Sequence, residues 1–119
     1  MLVVEDDCFL VKAFHAKLTS SGFEVVLAHD GVEAMEQLKK IKPDIMLLDL
    51  IMPRMDGFDV LTEMQKNAAY KKIPVVILTN LGQESDRKRG LDLGAIDYVV
   101  KADFSLQQVV DLINKHLPK

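Results

Sequence analysis

Short runs of apolar residues alternate along the chain with longer stretches in which apolar residues recur every three or four positions. Continuous apolar runs are typical of strands that are buried on both faces of a parallel sheet, whereas strands with one exposed face alternate between apolar and polar residues. The runs predict five strands, at residues 2–4, 24–28, 45–48, 75–78 and 98–100. The pattern therefore indicates a sheet with a layer of helices on each side.

The stretches between the predicted strands have the spacing of amphipathic helices, in which one face packs on the sheet. Residues 85–93 contain few apolar side chains and give the weakest helical pattern. Asp30 with Glu33 and Ser105 with Gln108 predict capping boxes at two helix starts. The apolar positions of the other helices are Leu10, Ala13, Phe14 and Leu18, then Val32, Met35 and Leu38, then Phe58, Leu61 and Met64, and finally Leu106, Val109, Val110, Ile113 and Leu117.

Five strand–helix units within 119 residues predict a doubly wound (βα)5 sandwich of the α/β class. The reason is that each crossover between parallel strands is right-handed and uses a helix to cover one face of the sheet. No linker or internal repeat divides the chain, so we expect residues 1–119 to form a single domain, with no output domain after the last helix. Open parallel sheets bind ligands at the carboxyl ends of their strands, where we expect the functional side chains.

Composition narrows the class of protein. The chain is 49% hydrophobic and 28% charged, as ordinary globular proteins are. No apolar run approaches the roughly 18 residues that span a membrane, and we expect a cytoplasmic protein without membrane contact. The net charge of −3 and the short basic clusters argue against direct binding of nucleic acid. Cys8 is the only cysteine, which excludes an internal disulfide.

Chemically active side chains follow four of the five predicted strands, so they meet at one edge of the predicted sheet. These residues are Glu5, Asp6 and Asp7 after the first strand, Asp49 after the third, Thr79 and Asn80 after the fourth, and Lys101 after the fifth. Several acids, a hydroxyl and an ammonium group on one edge form a chemical constellation. On spacing alone, Asp49 is a solvated strand end, a metal ligand or a group that undergoes covalent chemistry.

The segments LVVEDD, PDIMLLDLIMPRMDGFDVL, IPVVILTN and GAIDYVVK resemble the receiver domain of two-component response regulators, and the resemblance covers practically the whole chain. It implies a flavodoxin-like sheet with the strand order 2-1-3-4-5. It also implies that Asp49 accepts a phosphoryl group from a phosphohistidine of a histidine kinase or a phosphotransfer protein. Such a protein assists its own phosphorylation and dephosphorylation but is not an enzyme, and it signals through the face formed by the fourth helix, the fifth strand and the fifth helix.

The resemblance further implies a magnesium site. Carboxylates that are held close together raise one another's pKa unless a cation lies among them, and Mg²⁺ prefers hard oxygen ligands. By analogy with the family, Asp6, Asp49 and the backbone carbonyl of Ile51 bind Mg²⁺ directly, and Glu5 acts through water. The Lys101 ammonium group would help to neutralise the charge on the transferring oxygens.

A conformational switch is also implied by the resemblance. Thr79 would bind a phosphoryl oxygen, and Tyr98 would enter the space that Thr79 leaves; in a competing interpretation Tyr98 is only a half-buried strand aromatic. Asp7 can simply cap the first helix. The family usually has proline after its lysine, whereas this chain has Ala102, so the Lys101–Ala102 bond is either trans or strained.

Two other interpretations stay open. Haloacid dehalogenase-type phosphatases also form an aspartyl phosphate, but they carry a second Asp two residues after the nucleophile, where this chain has Ile51. A degenerate receiver or metal-binding interaction module is disfavoured because Asp49, Thr79 and Lys101 are all present.

We expect a monomer or a phosphorylation-dependent homodimer, and the sequence does not identify the downstream partner. The resemblance also places the side chains of Ile51 and Leu81 at the path of the water that would hydrolyse the phosphate.

Overall fold

The computed structural model describes residues 1–117, which form a five-stranded parallel sheet with helices on both faces. The order 2-1-3-4-5 confirms the predicted fold class and the strand order that the resemblance implied. Strands β1 and β3 are therefore neighbours, with Val4 paired to Leu48 at their carboxyl ends. The strands are β1 (Leu2–Val4), β2 (Val26–Ala28), β3 (Met46–Leu48), β4 (Val75–Thr79) and β5 (Asp97–Val100).

All five helices that the sequence pattern predicts are present. They include the one with the weakest pattern, which was predicted at residues 85–93 and is observed at Glu84–Asp92. Within residues 1–117, no helix has the length and apolar character that crossing a membrane requires. The helices are α1 (Cys8–Ser20), α2 (Gly31–Lys40), α3 (Gly57–Gln65), α4 (Glu84–Asp92) and α5 (Leu106–His116), and two short 3-10 turns lie at Tyr70–Lys72 and Lys101–Asp103.

Strand boundaries differ from the sequence pattern where pairing rather than hydrophobicity decides them. Strand β2 begins at Val26 instead of residue 24, because Val26 pairs with Leu2, the first residue of β1. The Val26 N–H donates to the carbonyl of Met1 at 2.9 Å, so the ladder has reached the end of its partner strand there. Strand β4 extends one residue further than predicted because Thr79 pairs with Val100 of β5.

The core consists of two apolar layers, one on each face of the sheet. Along β1, Leu2 and Val4 belong to one layer and Val3 to the other, as the alternation of side chains in a strand requires. Helices α2 and α3 cover the first layer, and helices α1 and α5 cover the second. Burial on both faces explains why the strands are continuously apolar. Each fully buried aliphatic side chain contributes about 1.5–3 kcal/mol by leaving water.

Side-chain caps define the starts of α1, α2, α3 and α5, whereas Gln83 before α4 makes no such hydrogen bond. The capping box of Ser105 and Gln108 is present at α5. Asp30 caps α2 as predicted, accepting from the Glu33 N–H at 2.9 Å. The Glu33 carboxylate, however, lies 3.3 Å from the ring nitrogen Nδ1 of His29, so the predicted box is formed only from the Asp30 side.

Candidate functional site

Three carboxylates meet at the carboxyl ends of β1 and β3. Glu5 and Asp6 follow β1 and Asp49 follows β3, and because these strands are neighbours, oxygen atoms of the three groups lie within 4.8 Å of one another. Glu5 and Asp49 are only 3% and 5% exposed, whereas Asp6 is exposed. The sheet topology therefore produces a mostly buried acidic cluster that is open to solvent on one side.

Lys101 extends into the acidic cluster from the end of β5. Its ammonium group donates to Glu5 Oε1 and, at 3.2 Å, to Asp49 Oδ2. The Lys101–Ala102 peptide bond is trans, and the lysine begins a 3-10 turn. One cation thus bridges the two buried carboxylates without the proline that usually follows this lysine in the family.

The single positive charge of Lys101 does not balance the three carboxylates of the acidic cluster. Burial, followed by the hydrogen bond with Asp49, raises the pKa of Glu5 to about 8 against the opposing effect of Lys101. Burial also disfavours the charge of Lys101, but its bonds to Glu5 and Asp49 hold its pKa above the usual range. Within residues 1–117, the buried Glu5 Oε2 has no hydrogen-bond partner. An unsatisfied acceptor beside several carboxylates fits a hard divalent cation such as Mg²⁺.

The segment after β3 shapes the outer wall of the site. Ile51 is 55% exposed, and its N–H donates to Asp49 Oδ1 at 3.3 Å. Gly57, the first residue of α3, donates its N–H to the Leu50 carbonyl at 3.1 Å. A Cβ atom on Gly57 would lie 2.3 Å from the backbone oxygen of Asp49, so only glycine allows α3 to start this close to the acidic cluster. An open cleft of about 370 Å³ is lined by Asp6, Asp7, Asp49, Ile51, Asn80 and Lys101.

Thr79 and Tyr98, the residues expected to form the switch, are connected through Leu81. Thr79 is fully buried at the end of β4, and its hydroxyl oxygen accepts from the Leu81 N–H at 3.4 Å. The Tyr98 hydroxyl donates to the Leu81 carbonyl. Tyr98 is buried in the core rather than half-buried, and burial holds the pKa of its hydroxyl above its usual range. The cleft wall at this position is formed by Asn80.

Asp7 has the structural role that the sequence allowed. Its carboxylate accepts from the N–H groups of Phe9 and Leu10, at 2.9 and 3.2 Å, and so caps α1. It also lines the cleft beside Asp6. The capping interpretation is therefore confirmed, and Asp7 additionally contributes negative charge to the opening of the site.

Sequence reasoning missed an ion pair that anchors the segment after β3. The guanidinium of Arg54 contacts Asp30 Oδ2 through Nε at 2.7 Å and through Nη2 at 2.6 Å. Arg54 has a φ angle of 64°, in the left-handed region that non-glycine residues rarely adopt. Neither feature could be read from the sequence, because the partners are 24 residues apart and Asp30 already has a role as a helix cap.

Comparison with known proteins agrees with the fold and with this geometry. The model of the family described as response regulator receiver domain matches residues 1–114, and the chain therefore belongs to that family. The interpretation of the sequence motifs as a receiver domain of the response-regulator type is thus confirmed, and this family acts in two-component phosphorelay signalling. Receiver domains are signalling phosphoacceptors that partner with histidine kinases or phosphotransfer proteins.

Individual relatives show the range of this similarity. The chain is 41% identical over 101 residues to the probable transcriptional regulator ycf27 of Guillardia theta, covering 85% of this chain but only 39% of that protein's length. Its structure resembles that of the chemotaxis protein CheY4 of Vibrio cholerae, with a TM-score of 0.90, 28% identity and coverage of 98% and 96% of the two chains.

A third similarity concerns the metal. The receiver domain of the sensor histidine kinase PA1611 of Pseudomonas aeruginosa has a magnesium ion coordinated in its active-site cleft. It matches this structure with a TM-score of 0.86 and 27% identity, covering 96% of this chain and 93% of that one. The acidic cluster of Glu5, Asp6 and Asp49 is thus one that could bind a divalent metal ion.

Proposed function

We propose that Asp49 is the phosphoacceptor and that it takes a phosphoryl group from a phosphohistidine of a histidine kinase or a phosphotransfer protein. The observation that carries the proposal is the position of the Asp49 carboxylate, which is buried beneath an open cleft, 3.2 Å from the Lys101 ammonium group and beside the Glu5 and Asp6 carboxylates. A nucleophile with adjacent positive charge and solvent access is what phosphoryl transfer needs, because catalysis of this reaction is mainly positioning and charge stabilisation.

The chemistry of the donor set supports Mg²⁺ as the metal. Asp6, Asp49 and the backbone carbonyl of Ile51 would hold the ion, and Glu5 would act through water. When bound, Mg²⁺ would supply positive charge to the oxygens of the transferring group. An oxygen of Asp49 forms the new O–P bond while the P–N bond of the phosphohistidine breaks, and the ring nitrogen keeps the electron pair. Lys101, whose ammonium group lies 3.2 Å from Asp49 Oδ2, stabilises the transferred charge.

Leu81 supports a signalling role for Thr79 and Tyr98. Its N–H contacts the Thr79 hydroxyl, and its carbonyl contacts the Tyr98 hydroxyl. A displacement of Thr79 towards a phosphoryl group on Asp49 would therefore disturb the partner of Tyr98. We propose that phosphorylation shifts the population of arrangements of the face formed by α4, β5 and α5 through this connection.

The proposal also covers the domain organisation of the chain and the kind of activity it has. Residues 1–119 act as one receiver domain, which assists its own phosphorylation and dephosphorylation and does not turn over a separate substrate. Ile51 supports this, because it occupies the place where the dehalogenase-type phosphatases have their second Asp. The cytoplasmic location, the lack of direct nucleic-acid binding and the monomer or phosphorylation-dependent homodimer remain predictions.

Incubation with acetyl phosphate and Mg²⁺, followed by intact-mass measurement, tests the proposal. We expect the mass of one phosphoryl group on the wild type and on Asp44→Ala, which removes an exposed aspartate elsewhere. Asp49→Ala should gain none, and chelation of Mg²⁺ should prevent the gain on all proteins. Phosphate on Asp49→Ala at the wild-type yield would refute the assignment. Mg²⁺ binding by a wild type that is never phosphorylated would favour the degenerate receiver.

A further inference from the structure

The segment between β3 and α3, residues 50–56, is fixed to the start of α2 by an ion pair. Arg54 contacts Asp30 Oδ2 through two nitrogen atoms, at 2.6 and 2.7 Å, and Asp30 is only 5% exposed. We propose that Asp30 and Arg54 are positioning residues for the metal site, which hold this segment so that the Ile51 carbonyl is presented to Mg²⁺. The inference rests on the proposed function, because it assumes that the acidic cluster binds Mg²⁺.

A second contact beside the ion pair fixes the backbone itself. Gly31, the residue after Asp30, donates its N–H to the carbonyl of Met55 at 3.0 Å. A Cβ atom on Gly31 would lie 2.4 Å from that carbonyl oxygen, so the two backbones approach as closely as they can. The ion pair joins Asp30 to Arg54, and the backbone hydrogen bond joins the next residue on each side, Gly31 to Met55.

The backbone of Arg54 shows that the contact imposes a conformation. Its φ of 64° lies in the left-handed region, where non-glycine residues are found only if their surroundings over-determine the conformation. The Asp30 carboxylate supplies that constraint, since it is buried and already fixed by capping α2. The bond from the Glu33 N–H, together with the Arg54 guanidinium, holds the pKa of Asp30 below its usual range against the effect of burial. Asp30 therefore stays charged at neutral pH.

The expected consequence is an effect on metal affinity rather than on the chemical step. Mg²⁺ demands nearly ideal octahedral geometry and tolerates displaced ligands poorly. If the segment were loosely held, its carbonyl would have to be ordered when the ion binds, at a cost in free energy. The ion pair lowers this cost because it orders the segment before the ion binds. Outer partners that orient metal ligands typically change metal affinity by about 10- to 100-fold. Among residues 1–117, the hydrogen bonds and ion pairs of the Asp30 and Arg54 side chains join them to each other and to Glu33, and none joins them to the acidic cluster.

The sign of the effect separates this role from simple electrostatics. Removing the positive charge of Arg54 would by itself strengthen the attraction of the acidic cluster for a cation. The positioning role predicts the opposite, a weaker affinity for Mg²⁺. Arg54→Asn is the suitable change, because asparagine tolerates the left-handed region and does not add the flexibility of glycine. Asp30→Asn is its counterpart, since asparagine also caps helices well.

Calorimetric titration with Mg²⁺ of the wild type, both single variants and the double variant tests the proposal. We expect each single variant to bind Mg²⁺ about tenfold more weakly. The double variant should be no weaker than either, because both changes break the same contact. The rate of phosphorylation at saturating Mg²⁺ should stay at the wild-type value. Lys66→Ala, which breaks an exposed ion pair with Glu63 and removes the same charge, is the matched control and should bind like the wild type.

Hydrogen exchange of the Ile51 and Met55 amides in the metal-free variants gives a second reading, and several-fold faster exchange is expected. Equal or tighter Mg²⁺ binding by Arg54→Asn, additive losses in the double variant, or unchanged exchange would each overturn the positioning role. If the wild type binds Mg²⁺ normally and the variants match it, only this inference fails. If the wild type does not bind Mg²⁺, the proposed function fails and the inference with it.

Discussion

Two segments border the cleft and are held in different ways. The segment after β3, residues 50–56, is bonded to α3 through Gly57 and to α2 through the Gly31–Met55 bond and the Arg54–Asp30 ion pair. The segment after β4, residues 80–83, is exposed at three of its four residues. Its bonds to side-chain groups are made by the Leu81 backbone, to the hydroxyls of Thr79 and Tyr98.

The difference assigns the two parts of a signalling reaction to different segments. The first segment adjoins Asp49, the proposed phosphoacceptor, and the proposed metal ligands, which would have to keep their geometry. The second lies between Thr79 and helix α4, which must respond. Few buried contacts and exposed backbone are the properties of segments that open at low free energy. If the proposed function is right, the fixed contacts serve the phosphoryl transfer and the weaker contacts serve the conformational response.

The largest effect is expected from a methyl group added at Gly57, which bonds the segment after β3 to α3, in contrast to one added at Gly82 in the segment after β4. In Gly57→Ala the new Cβ would meet the Asp49 carbonyl oxygen at 2.3 Å, and the backbone must shift. We expect a loss of about 1–3 kcal/mol in the free energy of unfolding and a phosphorylation rate about 100-fold lower. In Gly82→Ala the nearest atom is 3.9 Å away, on Val100, so both quantities should stay near the wild type.

Urea unfolding and initial rates with acetyl phosphate measure both glycine variants. Similar losses in the two proteins would contradict the contrast between a fixed and a loosely held segment.

The second prediction concerns pH and tests whether the fixed region is electrostatically unbalanced without a cation. The pKa of Glu5 is raised from 4.5 to about 8 in the folded protein, so the folded state binds this proton more tightly than the unfolded state does. The stability gained from that proton is complete below about pH 4.5 and is lost as the pH rises towards 8. We expect the free energy of unfolding to fall by on the order of 2 kcal/mol across this window.

Unfolding at pH 5.5 and 8.5 with a chelator, and then with Mg²⁺, measures this effect. Mg²⁺ should restore stability at the higher pH, because the cation replaces the proton. Glu5→Gln should remove the dependence, whereas Glu24→Gln, at an exposed glutamate, should keep it. Stability of the metal-free wild type that rises over the same window would refute the prediction.

The third prediction compares one apolar side chain on each segment. Ile51 is exposed and lines the cleft, whereas Leu81 is partly buried against the core. Neither can orient a water molecule by hydrogen bonding, so the phosphorylated state should be long-lived. Ile51→Asn followed by Leu81→Glu should speed dephosphorylation by about tenfold in total, or about 1.4 kcal/mol of barrier. Most of the increase in the dephosphorylation rate should come from the change at Ile51. Equal rates of phosphate loss in the wild type, Ile51→Asn and the double variant would show that these side chains do not control the access of water.

The smallest effect is expected at the hydroxyl that holds the second segment. Tyr98→Phe removes the bond to the Leu81 carbonyl and should lower the free energy of unfolding by about 1 kcal/mol. Exchange of amides in residues 81–83 should become faster, while that of Met55 should not change. Tyr70→Phe, on the short 3-10 turn before β4, is the matched control. Equal protection of residues 81–83 in wild type and Tyr98→Phe would show that the hydroxyl does not restrain them.

The fold could be predicted from the sequence because strands buried on both faces are continuously apolar. Val3 and Val4 are an example, since their side chains enter different core layers. It placed the start of β2 wrongly, since strand length depends on the partner strand. It brought Glu5 and Asp49 together because the carboxyl ends of parallel strands share one edge. Which residues perform the chemistry came only through the family resemblance.

Two features of the site had no signal in the sequence. The burial of Tyr98 depends on how closely α4 approaches the sheet, and a single aromatic residue at a strand end does not reveal this. The contact of Arg54 with Asp30 depends on a left-handed residue in an irregular segment. Interactions between distant segments follow from tertiary packing, and local hydrophobic patterns do not encode them.

The packing of α4 has a mechanical consequence. Gly90 is the one buried residue among the nine of this helix, all of which the structure describes, and a Cβ there would approach Ile77 to 2.5 Å. Packed helices resist sliding when the side chains of one fill the grooves of the other. At Gly90 the helix contributes no side chain, and the Ile77 side chain packs against its bare backbone. At the rim, Arg87 is bonded to the Tyr98 carbonyl and Arg89 is stacked 4.0 Å from the centre of the Phe58 ring. The rim contacts of the two arginines can re-form after a small translation, so we expect α4 to respond by a small shear of the intact helix along the sheet rather than by unwinding.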